Sequence, residues 1–154
     1  MLQRTPQLPD AIAIHEAAYR VAGRKFGIRP RKTRTDLGLR RFANDVFDVA
    51  AAVEQRGAEA AASILLIGRA AVGALAPAHL ADCSYDQIEA GNVLYLALYW
   101  RGGTLQNPNQ YREHHFALAR LQTEAETFVG EHRAEIVRTA SNLAATTDDL
   151  AATS

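Results

Sequence analysis

Residues 10–27 contain the local signals of one amphipathic helix, and this segment restricts the fold more than any other. Asp10 is a suitable N-cap, while Gly27, with Pro30 beyond it, is typical of a helix end. Spacings of three and four residues align one stripe, which comprises Ile12, His15, Tyr19, Ala22 and Phe26. The sequence therefore predicts a helix to about Phe26, with His15 and Tyr19 on one otherwise apolar face.

Helical patterns dominate the rest of the chain. Further helices are predicted over residues 44–56, 58–75, 84 to about 99, 110–129 and about 131–145. In the 58–75 segment, small residues allow another helix to approach closely: Gly68, Ala70, Ala71 and Gly73. Ser84 and Gln87 have the spacing of a capping box, with Ser84 as N-cap. The Thr, Ala and Asp residues of the tail are expected to fray.

Residues 28–42 alternate weakly in polarity and predict a loop or a short hairpin. The predicted fold class is mainly α, a helical bundle with at most a small β-hairpin. The chain of 154 residues is 48% hydrophobic, which suits one domain with a substantial core. We therefore expect a single domain over residues 1–154, with an ordered core at about 10–150.

The charge distribution and the cysteine content indicate what surfaces and which cellular compartment to expect. The net charge is +0, yet residues 1–41 hold ten Lys/Arg against three Asp/Glu. Such an uneven distribution indicates two faces of one domain or a docking patch. The single cysteine, Cys83, cannot form an intramolecular disulfide. Because no apolar run approaches the roughly 20 residues of a membrane span and no signal peptide is evident, we expect a cytoplasmic protein without a membrane span.

His15 and Glu16 match the start of a metalloprotease helix motif, H-E-x-x-H. In that motif two histidines at i and i+4 bind one zinc ion, and the glutamate is the general base for the metal-bound water. Tyr19 occupies the second histidine position here. A phenol has a pKa of about 10, so a metal would have to displace its proton.

Three separated segments extend this similarity: Ala13–Ala22, Leu66–Leu75 and Ala81–Ala90. With the closing segments 125–129 and 134–137, they resemble the peptidase domain of FtsH-type AAA zinc proteases, especially short stand-alone relatives without the ATPase. The resemblance covers most of residues 11–150. It implies a fold similar to that peptidase domain, within the predicted helical bundle.

The resemblance also implies roles for individual residues. His15 would be a zinc ligand, Glu16 the catalytic general base and Asp86 the distal carboxylate ligand. The chain departs from the family at Tyr19, in place of the second histidine, and at Val72, where members usually have glutamate. Active members depend on an ATPase module, a hexameric ring and a membrane anchor, none of which this sequence indicates.

Two protein ligands fall short of the three that a catalytic zinc usually has. The leading hypothesis is a catalytically degenerate metallopeptidase-like protein, a pseudoenzyme that binds a protein or peptide partner in the former active-site cleft, with zinc weakly bound or absent. The alternative is an active zinc metallopeptidase using His15, Asp86 and an unorthodox third ligand. The sequence is also compatible with a homo-oligomer. In the pseudoenzyme, Tyr19 would fill the space of the lost imidazole and metal, and its hydroxyl would bond to His15, Asp86 or water.

Other candidates are weaker. His79 is the better substitute ligand, because Glu113, His114 and His115 are adjacent and point about 100° apart on a helix. His132 is expected at the surface, and Cys83 lacks a histidine at motif spacing. Tyr95, Tyr99 and Trp100 indicate core or an oligomer contact. A phosphate- or nucleic-acid-binding function is disfavoured and rests only on a basic run: Arg29, Arg31, Lys32, Arg34, Arg40 and Arg41.

Overall fold

The protein is described from a computed structural model, which describes residues 9–30, 46–99 and 108–153. Within these residues the chain forms six α-helices and one 3₁₀ segment, and no strand occurs in them. The helices are α1 (Ala11–Phe26), α2 (Val49–Arg56), α3 (Ala58–Leu75), α4 (Ser84–Tyr99), α5 (Pro108–Glu131) and α6 (Arg133–Thr153). The 3₁₀ segment, Pro77–Cys83, connects α3 to α4. The mainly α helical bundle is confirmed, whereas most of the predicted loop or hairpin at 28–42 lies outside the described residues.

Both ends of α1 have the predicted caps. The Asp10 carboxylate accepts a hydrogen bond from the backbone N–H of Ala13 at 2.8 Å. Gly27 adopts a left-handed conformation with φ 73°, which glycine tolerates without a Cβ clash. The N–H of Ile28 then donates to the carbonyl of Gly23, and the N–H of Gly27 donates to that of Arg24. This double closure is a Schellman motif, so local chemistry alone sets where α1 stops.

Helix α3 lies at the centre of the bundle. It contacts α1, α2, α4, α5 and the 3₁₀ segment. Its apolar run, Ile64–Ile67, is fully buried or nearly so. Among the described residues, α3 is the one helix long and apolar enough to cross a membrane by length and composition, but a buried core helix passes the same test and 61% of it is buried here.

Helix α1 packs on α3 with one face and on α6 with another. At the edge of the second contact, Arg24 donates to Glu135 at 3.0 Å, in an exposed ion pair. Exposed pairs of this kind typically contribute no more than ~1 kcal/mol. The burial of the apolar faces therefore holds α1 in place, and the ion pair adds little.

One predicted cap and several helix boundaries differ from the predictions. Ser84 has helical dihedral angles (φ −60°, ψ −31°), because the 3₁₀ segment runs directly into α4. The capping box is therefore wrong, since an N-cap residue has non-helical angles. Helix α2 has its N-cap at Asp48, whose side chain accepts from the N–H of Ala51, and so starts later than predicted. Helix α5 continues through Gly130, and α6 extends through the tail that was expected to fray.

Candidate functional site

Three buried polar side chains meet at the centre of the bundle. Nε2 of His15 lies 2.5 Å from Oδ2 of Asp86, and the hydroxyl of Tyr19 donates to Oδ1 of the same carboxylate at 2.6 Å. His15 and Tyr19 are one turn apart on α1, with ring centroids separated by 4.4 Å. Asp86, 71 residues beyond His15, reaches them from the first turn of α4. Both carboxylate oxygens are thus hydrogen-bonded to side chains of α1.

Cys83 completes this cluster from the end of the 3₁₀ segment. Its Sγ, a ring nitrogen of His15 and a carboxylate oxygen of Asp86 all lie within 4.8 Å of one another, and all three residues are buried. Sequence reasoning missed this residue, because Cys83 has no histidine at the spacing of a recognised motif. The available signal was its position three residues before Asp86, which places both side chains on the same face of a helical turn.

The cluster is closed to solvent. The exposed fractions of His15, Tyr19 and Asp86 are 0%, 1% and 1%. Phe47 meets the Tyr19 ring edge to face at a centroid separation of 5.4 Å. On α3, Gly68 leaves the space that the Tyr19 ring occupies, because any Cβ there would overlap the ring. The small residues of α3 thus permit the close approach that the sequence predicted, and the phenol fills the site.

The resemblance predicts that His15, Glu16, Tyr19 and Asp86 converge. His15, Tyr19 and Asp86 do come together, whereas Glu16 lies outside their hydrogen-bonded cluster. The Glu16 side chain is largely buried (12% exposed) and pairs with Arg20 one turn along α1, at 3.4 Å. It is not a member of the metal-binding group formed by His15, Cys83 and Asp86. Val72, at the position where the resemblance expects glutamate, is fully buried. His15 of the motif is therefore part of the buried cluster, whereas Glu16, the expected general base, is outside it.

The other candidate ligands lie elsewhere. His79 is wrong as a substitute ligand, since it is exposed and its Nδ1 lies 3.3 Å from Asp82 Oδ2. His115 is exposed and His114 half-buried against Tyr95, as predicted for two adjacent helical residues. Burial, with a smaller contribution from His115, lowers the pKa of His114 below 6.5.

His132 was expected at the surface, and that expectation is wrong. The residue is half-buried, because its ring stacks on Phe128 at a centroid distance of 4.0 Å. Its Nδ1 also lies 2.9 Å from the Phe128 carbonyl. Of the basic run, Arg29 is exposed, and the other five members lie outside the described residues. Glu113, Tyr99 and Trp100 likewise have side chains outside the described set.

A groove of about 440 Å³ lies beside the cluster, between α3, the 3₁₀ segment, α4 and α5. Its apolar walls come from Leu66, Ala70, Gly73, Ala74, Leu80 and Val129. Its polar groups belong to Arg69, Gln87, Gln122 and Glu126. Gln87 directly follows Asp86 in α4, so the groove and the cluster share one element. An apolar surface with a few polar groups and a volume within about 300–1,000 Å³ is typical of a ligand site.

The donor set of the cluster fits a metal ion, although its enclosure does not fit hydrolysis. Imidazole, thiolate and carboxylate are all zinc ligands. A catalytic zinc, however, keeps one position for water and substrate, and these side chains lie within the core. His15, Cys83 and Asp86 would hold the ion, which would supply charge and cross-linking at the centre of the bundle.

Comparisons with protein-family models, with curated proteins and with solved structures found no match for this chain.

Proposed function

We propose that the protein is a catalytically inactive, metallopeptidase-like helical bundle that binds a peptide or protein segment. The observation that supports this most directly is the closed hydrogen-bonded arrangement of His15, Tyr19 and Asp86. It retains the ligand positions of the resemblance while the phenol fills the space that water and substrate would need. Glu16, the expected general base, pairs with Arg20 instead.

The groove beside the cluster is the proposed binding surface. Gln87 and Gln122 offer amide donors and acceptors that can pair with a peptide backbone, and Ala74 and Leu80 offer apolar contact. Arg69 and Glu126 add one charge of each sign. This combination suits an extended peptide with apolar side chains. The glutamine amides can hydrogen-bond to its backbone, and the apolar walls of the groove can contact its side chains.

One experiment tests both parts of the proposal with fluorescein-labelled casein as the probe. We expect hydrolysis by the protein to be no faster than by the Glu16→Gln variant. We expect binding, measured by anisotropy, to be lost in Ala74→Arg, which fills the groove from an exposed position, and retained in the control Ala78→Arg. Equal binding by both variants would refute the groove as the binding surface.

The alternative function is an active zinc metallopeptidase that uses His15, Asp86 and an unorthodox third ligand. Cys83 is a candidate for that ligand, since its sulfur lies in the same buried group. Zinc-dependent hydrolysis of casein that disappears in Glu16→Gln would establish this alternative and overturn our proposal. The enclosure of the cluster argues against it.

A further inference from the structure

We propose that His15, Cys83 and Asp86 form a buried site with three protein ligands for a divalent metal ion of borderline softness, Zn²⁺ above all. The three ligands come from three parts of the fold: α1, the end of the 3₁₀ segment and the first turn of α4. An ion bound there would connect α1 to the junction before α4. The site does not depend on peptide binding in the groove.

The ligand types select the metal. Thiolate and imidazole favour zinc over magnesium or calcium, which prefer sets made of oxygen ligands. The ligand atoms already lie within 4.8 Å of one another in the folded chain. Tetrahedral zinc with bonds of about 2.0–2.3 Å requires its ligand atoms to be roughly 3.3–3.8 Å apart. Binding thus requires small side-chain shifts within the cluster and no rearrangement of helices.

Tyr19 is a positioning residue in this site. Its hydroxyl donates to Oδ1 of Asp86, which leaves Oδ2 facing His15. Hydrogen-bonded carboxylates and imidazoles are the usual supports of protein metal sites. Here the support comes from the residue that replaces the second histidine, and it lies on the same helix as the ligand His15.

Metal binding changes which groups of the cluster carry protons. The Cys83 thiol loses its proton to solvent when sulfur binds the ion, because the thiolate is the ligand. The ion would replace the direct contact between His15 and Asp86, and the imidazole would bind it as the neutral ring. No oxidant or reductant takes part. The buried thiolate is then compensated by the charge of the ion.

Cobalt titration tests the site, because Co²⁺ substitutes for zinc and a thiolate ligand adds an intense near-ultraviolet charge-transfer band. The protein is stripped with chelator and titrated with Co²⁺. Since the chain has a single cysteine, such a band at one ion per chain can come only from Cys83. We expect that band, and a rise in Tm with added Zn²⁺ by mass action.

Two variants complete the test. Cys83→Ser should lose the band and bind zinc at least about tenfold more weakly, whereas the control His79→Gln, outside the cluster, should keep both. If Cys83→Ser does not fold, the wild-type titration alone decides. A folded wild-type protein with no band and no zinc-dependent Tm, or with one ion for two chains, overturns the proposal.

Discussion

The aromatic ring of Tyr19 lies directly against the backbone of Gly68. A Cβ placed on Gly68 would come within 2.8 Å of Cδ1 of Tyr19 and closer still to Cε1. This contact joins α1 to α3 at the level of the buried cluster. It makes the position of the Tyr19 ring in α1 dependent on the absence of a side chain at Gly68 in α3.

Gly68→Ala should therefore destabilise the protein. Alanine favours a helix over glycine by up to ~1 kcal/mol, but overpacking a core typically costs about 1–3 kcal/mol. We expect a net loss of about 1–2 kcal/mol in urea unfolding. Gly91→Ala in α4 is the matched control, because its Cβ would meet nothing within 4 Å, and it should be neutral or stabilising. A stable Gly68→Ala would show that Tyr19 does not fill this space.

Tyr19→Phe should also destabilise the protein, for a different reason. It keeps the ring and removes the hydroxyl that donates to Oδ1 of Asp86. A buried acceptor left without its donor costs about 1–3 kcal/mol. Unfolding of Tyr19→Phe, Asp86→Asn and the double variant gives the coupling energy of the pair. A coupling near zero would contradict the hydrogen bond.

Tyr19→His tests whether the ligand positions of the resemblance remain competent. The change creates an i, i+4 imidazole pair on the face that holds His15, opposite Asp86. One further neutral ligand should raise zinc affinity by orders of magnitude, and zinc should then raise Tm more than in the wild-type protein. Titration of zinc into both proteins while following Tm is the measurement. Identical responses would mean that the second imidazole cannot reach the ion.

His114 should make the stability depend on pH. Burial, and secondly His115, lowers its folded-state pKa below 6.5, so the unfolded chain binds more protons just below that pH. Stability should consequently fall as the pH falls through the window beneath 6.5. His114→Gln should flatten this decline, with the two proteins compared by urea unfolding at pH 5 and at pH 8. Parallel declines would assign the effect to other groups.

Local chemistry explains where sequence-based prediction succeeded. The ends of α1 depend on Asp10 and on the left-handed Gly27, which act within a few residues, and both were predicted. Helix α3 likewise begins after Gly57 and ends at Leu75, as predicted. The convergence of His15, Tyr19 and Asp86 came from a family resemblance, because periodicity alone does not relate α1 to α4.

Two features were not predicted from the sequence. Cys83 lies three residues before Asp86, which places it near that carboxylate, but only the tertiary packing brings His15 of α1 to the same place. The half-burial of His132 follows from a local contact, the stacking of its ring on Phe128 four residues earlier in the chain, near the end of α5.

The long separation of His15 from Asp86 has a consequence for the order of folding. The two residues are 71 positions apart, so their bond cannot form until α1, α3 and the start of α4 have been synthesised and assembled. Helix α3 precedes α4 in the chain, so α1 can pack on α3 before Asp86 is available. Closing so large a loop is entropically slow. We infer that the contacts among His15, Tyr19 and Asp86 form late in folding. Substitutions that remove them should therefore raise the unfolding rate more than they lower the folding rate.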